Sequence, residues 1–254
     1  MRLISFVDLD DTLFSTRRKL PAHLQDTELE HVSVNTRGEA HGFRTAKQAA
    51  LFTQLCRLGP VIPVTGRSAQ AFARVRLPFS HARVLDHGAT LLAADGAPDA
   101  VYAAQTGERL AQHARDFSTL AQDLSRQVRL HFPGLQVRLH EVHGQPLYLV
   151  VKHPQRQMGA LTELAHSWQE QLGSDSRWHL FSNDSTLTLM QACVSKRGAV
   201  QHLQTTLDPR GEALTLGFGD TLSDVGFMAA CDIALTPGRS QIMRVLEAMH
   251  HVHS

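Results

Sequence analysis

The sequence predicts an α/β protein in which a doubly wound parallel sheet is interrupted by a second, α+β domain. Three observations predict it. Apolar runs rich in Val, Ile and Leu end at polar or glycine-bearing turns, at residues 3–7, 61–64 and 214–218, as buried parallel strands do. Helical spacing of apolar residues follows the first and third of them, at 45–58 and 224–231, so strand and helix alternate. The middle of the chain changes texture, with long helical stretches beside four strand-like segments.

Taken in order, strand 3–7 delivers Asp8, and strands 61–64 and 214–218 deliver Thr65 and then Gly219-Asp220. In such a sheet the ligand crevice lies beyond the carboxyl ends of the strands, so one site collects all three. Residues 15–42 exceed a bare strand-to-helix link. Within them 32–38 predicts a hairpin or lid near Asp8, and long loops beside a site are often functional. The inserted domain reads as helix 107–130, strands 135–142 and 147–153, helix 155–172, then strands 178–181 and 186–190, an open sheet with helices on one face. Its bounds are placed at 90–184, with crossings near 86–89 and 183–185, leaving 1–89 and 185–254 for the core.

With 254 residues and 43% hydrophobic content the chain buries a full core. Lys plus Arg at 25 against Asp plus Glu at 24 gives no electrostatic footprint for nucleic acid or an acidic membrane. Cysteines at 56, 193 and 231 are odd in number and in no metal-ligand spacing, which argues against a disulfide framework and predicts a cytoplasmic protein. No apolar run approaches the roughly 18 residues a membrane span needs, and residues 1–7 are too short for a secretory segment.

Asp8 and Asp10 place two carboxylates two residues apart where a buried strand ends. Two such charges about 4 Å apart at an effective dielectric near 20 repel by about 4 kcal/mol, which calls for a bound cation or a held proton. Magnesium suits a few carboxylates, a backbone carbonyl and phosphate oxygens. Asp220 and Asp224, four residues apart at a helix entry, supply the rest of a cation site. Any one such cluster alone is an ordinary turn. Thr65 and Gly66 offer a hydroxyl and an unhindered amide for phosphate oxygens, and Lys196 a point charge against them.

In order, Asp8-x-Asp10-x-Thr12, Thr65-Gly66-Arg67, Lys196 and Gly219-Asp220-x-x-x-Asp224 resemble the four motifs of the haloacid dehalogenase superfamily. The insertion resembles the type-two cap of Cof-like, sucrose-phosphate and trehalose-phosphate phosphatases, and Asp86-His87-Gly88-Ala89 is similar to the Asn-Gly-Ala turn that often opens it. The resemblance implies a Rossmann-like core and a magnesium-dependent phosphatase acting on a small phosphorylated metabolite, with a sugar phosphate favoured. It makes Asp8 the nucleophile and Asp10 the acid and base. Thr65, Gly66 and Lys196 become phosphate ligands, with Arg197 an alternative to Lys196. Asp8, Asp220 and Asp224 with the Asp10 carbonyl become metal ligands. Asp11 stands where many members carry Gly, and Ser223 where many carry Asn. The rivals are a phosphomutase or phosphotransferase and a catalytically silent binder of a phosphorylated ligand or a protein partner; a more remote likeness is to phosphatase-like proteins of tellurium-resistance clusters.

The remaining features read more plainly. Arg17, Arg18 and Lys19 are a solvated basic run or contacts for a second anionic group on the substrate. His140 and His143 face opposite sides of a strand, which argues against zinc, and His250, His251 and His253 form a polar tail. Asn183-x-Ser185 matches a glycosylation sequon that a cytoplasmic chain would not use. Oligomeric state is not encoded in any of these patterns.

Overall fold

A computed structural model of the chain describes residues 2–153, 158–183 and 186–252. Gln155, Ser185 and His253, which begin an expected helix, complete the sequon and end the histidine tail, lie outside the described residues. Along the chain come β1 (Leu3–Val7), β2 (Ser15–Thr16), β3 (Glu30–Val34), β4 (Ala40–Arg44), α1 (Ala46–Leu58), β5 (Val61–Pro63), α2 (Ala69–Phe72), β6 (Arg83–Leu85) and β7 (Thr90–Leu92). Next are α3 (Ala100–Ala111), α4 (Ala114–His131), β8 (Gln136–Val142), β9 (Gln145–Lys152), α5 (Met158–Leu172), β10 (Trp178–Asn183) and β11 (Thr186–Gln191). The chain closes with α6 (Lys196–Leu207), β12 (Leu214–Phe218), α7 (Val225–Met228), β13 (Ile233–Leu235) and α8 (Gln241–Val252). These elements form two compact units, Met1–Asp99 with Ser195–Ser254, and Ala100–Val194.

In the first unit β1 lies between β12 and β5 in a parallel sheet of order β13-β12-β1-β5. Its residues Ile4, Phe6 and Val7 have no exposed surface, because both faces of a central parallel strand are covered. A parallel bridge between Val64 and Val84 carries the pairing on toward β6. From β1 the chain moves to β5 on one side and later to β12 on the other, so the strand order switches at the carboxyl end of β1. Beside this sheet β2, β4 and β3 form a small antiparallel sheet. Its turn is closed by the Asn35 side-chain oxygen, which accepts from the Arg37 and Glu39 amides at 2.8 and 3.1 Å. That is the hairpin expected near Asp8. Helix α1 starts at a capping box in which Thr45 and Gln48 exchange bonds, satisfying amides that a helix start leaves orphaned.

The second unit is an antiparallel sheet of order β10-β11-β9-β8. Leu149, Val151, Leu187 and Leu189 alternate along β9 and β11 and pack with Phe117 of α4 and Trp168 of α5 in one apolar core. The expected single helix over 107–130 is two, α3 and α4, separated at 112–113. Nothing local forces the break, since neither Gly nor Pro stands there. Tertiary contact accompanies it: the His113 ring packs edge-on against Trp178 of β10 at 6.1 Å. The unit also runs from 100 to 194 rather than from 90 to 184. Strand β7 hydrogen-bonds to β6 and stays with the first unit, while β11 pairs with both β9 and β10 and stays with the second. Strand β13 and helix α8 have no counterpart in the sequence reading.

Candidate active site

Of the residues expected to carry chemistry, Asp8, Thr65 and Asp220 emerge at the carboxyl ends of β1, β5 and β12. Asp8 follows β1, and its amide donates to the Phe218 carbonyl at 2.8 Å, continuing the β1–β12 pairing by one residue. Thr65 follows β5, tied by its amide to Val84 at 2.9 Å. Gly219 and Asp220 follow β12. Gly219 is required there, because a Cβ on it would stand 2.5 Å from the Asp224 Cβ, which folds back over the loop. Asp224 is fully buried; its second carboxylate oxygen accepts from the Asp220 and Thr221 amides at 3.3 and 3.0 Å and from the Thr221 hydroxyl at 2.8 Å.

Lys196 is the first residue of α6, whose preceding Ser195 caps the helix by accepting from the Gly198 amide. Its buried ammonium donates to Asp8 at 2.9 Å and to Asp224 at 2.6 Å. Arg197 is exposed, and of the two candidate cations it is Lys196 that pairs with Asp8 and Asp224. Carboxylate oxygens of Asp8, Asp220 and Asp224 lie within 4.8 Å of one another. When ionised, these three carboxylates against one ammonium leave two negative charges, the complement of one divalent cation, and the hard oxygen donors suit magnesium.

The electrostatics follow from that crowding. Burial pushes the Asp8 carboxyl well above its ordinary value despite the pull of Lys196, with Asp224, Asp220 and Asp10 adding to the rise. Burial, then Asp224 and Asp11, push Asp220 up to about 7. Burial acts the same way on Asp224, but the Lys196 charge and the Lys196 and Thr221 hydrogen bonds outweigh it and hold that carboxyl low. Burial opposes the Lys196 charge, and Asp224 and Asp8 overcome it, keeping the ammonium protonated.

Asp10 sits apart from this cluster, with its side chain half exposed. Arg67 grips both of its oxygens at 2.7 Å, with its guanidinium stacked over the Phe14 ring at 5.2 Å. The fork is the geometry in which arginine binds carboxylate most strongly. Arg67 stood in the sequence motif without a role. So did Thr12, whose hydroxyl donates to Asp220 at 3.5 Å. Asp11 adopts a left-handed backbone, φ 62°, and pairs with Lys19. Glycine enters this conformation most readily, and Asp is among the few other residues that tolerate it. Of the basic run, Arg17 pairs with Asp26. His140 stacks on Tyr148 and His143 occupies a left-handed turn position; among the described residues neither belongs to a metal-ligand group.

No family model matches the chain, and no curated protein matches it. Solved structures do. The C-terminal domain of trehalose-6-phosphate phosphatase from C. albicans aligns with a TM-score of 0.60 at 12% identity, covering 90% of this chain and 73% of that one. The sucrose-phosphatase of Synechocystis, solved with sucrose and phosphate, gives 0.54 at 18% identity over 99% and 98% of the two chains. A haloacid dehalogenase-like hydrolase from B. subtilis gives 0.52 at 14% identity over 96% and 93%. With its parallel sheet, its inserted unit and these structural neighbours, the chain has the haloacid dehalogenase-like fold.

Proposed function

We propose that this chain is a magnesium-dependent phosphatase that hydrolyses a small phosphorylated metabolite, a sugar phosphate in the favoured case, through an aspartyl-phosphate on Asp8. One observation carries the reading: the buried group of Asp8, Asp220 and Asp224 around the Lys196 ammonium, at the strand ends where this fold gathers ligands. In this reading Met1–Asp99 with Ser195–Ser254 is the catalytic core and Ala100–Val194 the cap.

Asp8, Asp220 and Asp224 hold magnesium, joined by the Asp10 carbonyl as the family resemblance implies; the bound ion supplies positive charge beside the nucleophile and the phosphate. The Asp8 carboxylate attacks phosphorus as the bond to the leaving alcohol breaks, and Asp10 gives its proton to that oxygen. Asp10 then takes a proton from water, which attacks phosphorus and frees both phosphate and Asp8. Thr65, the Gly66 amide and Lys196 hold the oxygens of the transferring group, where positioning and charge account for most of the rate. Arg67 must release at least one Asp10 oxygen before that proton can pass, since its fork occupies both.

The test is phosphate release from a panel of phosphorylated sugars, nucleotides and glycerates, with and without magnesium. Turnover that needs magnesium and falls by about 10³-fold or more in Asp8→Asn is expected. Transfer of phosphate to a sugar acceptor without release would overturn hydrolysis, and no turnover on any compound would overturn the reading.

A further inference from the structure

Resting on the assignment of Thr65 and Gly66 as phosphate ligands, we infer that His87 is a positioning residue for the phosphate-binding loop. Asp86, His87 and Gly88 take φ of 51°, 57° and 102°, three left-handed residues in succession. Asp and His enter this region more readily than most residues, yet two of them in succession ahead of a glycine are uncommon, and the conformation persists where the surroundings hold it. Here they do. The Asp86 amide donates to the Arg67 carbonyl at 2.9 Å, the His87 amide donates to the Thr65 carbonyl at 3.1 Å, and the Thr90 hydroxyl donates to Asp86 at 2.7 Å.

The turn touches both halves of the phosphate-binding set. On one side the His87 imidazole lies across Gly66, so close that a Cβ there would stand 2.3 Å from Cε1 and 2.5 Å from Nε2. On the other, Gly88 lies against the start of α6, where a Cβ would stand 2.3 Å from the Ser195 carbonyl oxygen and 2.9 Å from the Lys196 backbone nitrogen. One strap therefore touches the backbone of the Thr65–Gly66 loop on one side and the backbone at the start of α6, which carries Lys196, on the other. The ring fills the space that a side chain on Gly66 would take. His87 acts through Thr65 and Gly66, by backbone conformation and by ring volume.

The experiment measures kcat and KM for p-nitrophenyl phosphate and the inhibition constant of orthophosphate, all with magnesium, in His87→Val, His87→Asn, His87→Gly, Gly66→Ala and the double variant His87→Gly with Gly66→Ala. Valine is β-branched and resists the left-handed region, so His87→Val weakens orthophosphate by about 10- to 100-fold and raises KM by more than it lowers kcat. Asparagine tolerates the conformation, and His87→Asn recovers most of that loss. Gly66→Ala drives a methyl into the ring, and removing the ring in the double variant restores part of the lost phosphate affinity, a non-additive cycle. If His87→Val does not fold by circular dichroism, the Gly66 cycle alone decides. Wild-type phosphate affinity in His87→Val, or an additive cycle, overturns the inference while the phosphatase reading stands. A wild type with neither turnover nor orthophosphate affinity overturns both.

Discussion

At the scale of single residues the cluster is held by one cation among carboxylates. Lys196 loses its counter-charge role if truncated, so in metal-free protein Lys196→Ala lowers the free energy of unfolding by about 3–5 kcal/mol, the usual cost of stranding a buried charge. Urea denaturation measures it. Asp8→Asn moves the other way: burial already disfavours the charged Asp8 carboxyl, so this variant melts at a higher temperature than wild type in chelator at about pH 8. Asp220 sets a pH dependence. Its folded carboxyl, raised to about 7 from 3.8, holds a proton in the native protein that the unfolded chain has already released. That stabilisation is fully present below the unfolded value and is lost as pH rises through about 7, so the chelated protein melts progressively lower from about pH 5 to about pH 8. Magnesium then raises the melting temperature most at the alkaline end. A flat melting profile would contradict the burial of Asp220.

At the scale of elements, α6 both caps itself and aims Lys196. Ser195→Ala removes the bond to the Gly198 amide and costs about 1 kcal/mol of stability, read from the urea midpoint. Much of this level was legible in the sequence, for local reasons. The apolar run of residues 3–7 ending at Asp8 reads as a buried strand delivering a carboxylate, and the apolar spacing over 45–58 reads as a helix, as both prove to be. What was not legible depended on distant partners. The break between α3 and α4 has no local breaker, and its neighbour Trp178 lies about 65 residues away, His113 to Trp178. Periodicity marks β11 as a strand but says nothing of which strand it pairs with, and β7 is too short to stand out at all; their pairings decide where the inserted unit begins and ends. Arg67 likewise looked like one more residue of a loop, because its partner Asp10 is 57 positions away.

At the scale of the whole molecule, each unit owns a core. Val7, Leu9, Phe52 and Leu55 belong to one, and Phe117, Leu124, Leu149 and Trp168 to the other. A fully buried ring such as Phe117 fills its space closely, and Phe117→Ala costs about 3–5 kcal/mol. Because the proposed metal ligands all lie in the first unit, that loss is not recovered by magnesium, whereas the loss in Lys196→Ala is recovered in part. Calorimetry of both variants with and without magnesium separates the two effects; equal recovery would contradict two independently stabilised units.

The pairing of β1 with β12 also bears on how the protein is made. Leu3 to Val7 lie against Leu214 to Phe218, so the middle strand of the sheet has to wait for a partner some 211 positions later, 214 minus 3. At ordinary ribosomal rates that delay is about 10–40 s. During it Ala100–Val194, contiguous in sequence, emerges whole and can collapse on its own core, while an apolar strand stands with one edge bare. The nascent chain is thus most exposed to mispairing at the strand that later presents Asp8, and the buried cluster is assembled only when the segment carrying Lys196, Asp220 and Asp224 leaves the ribosome.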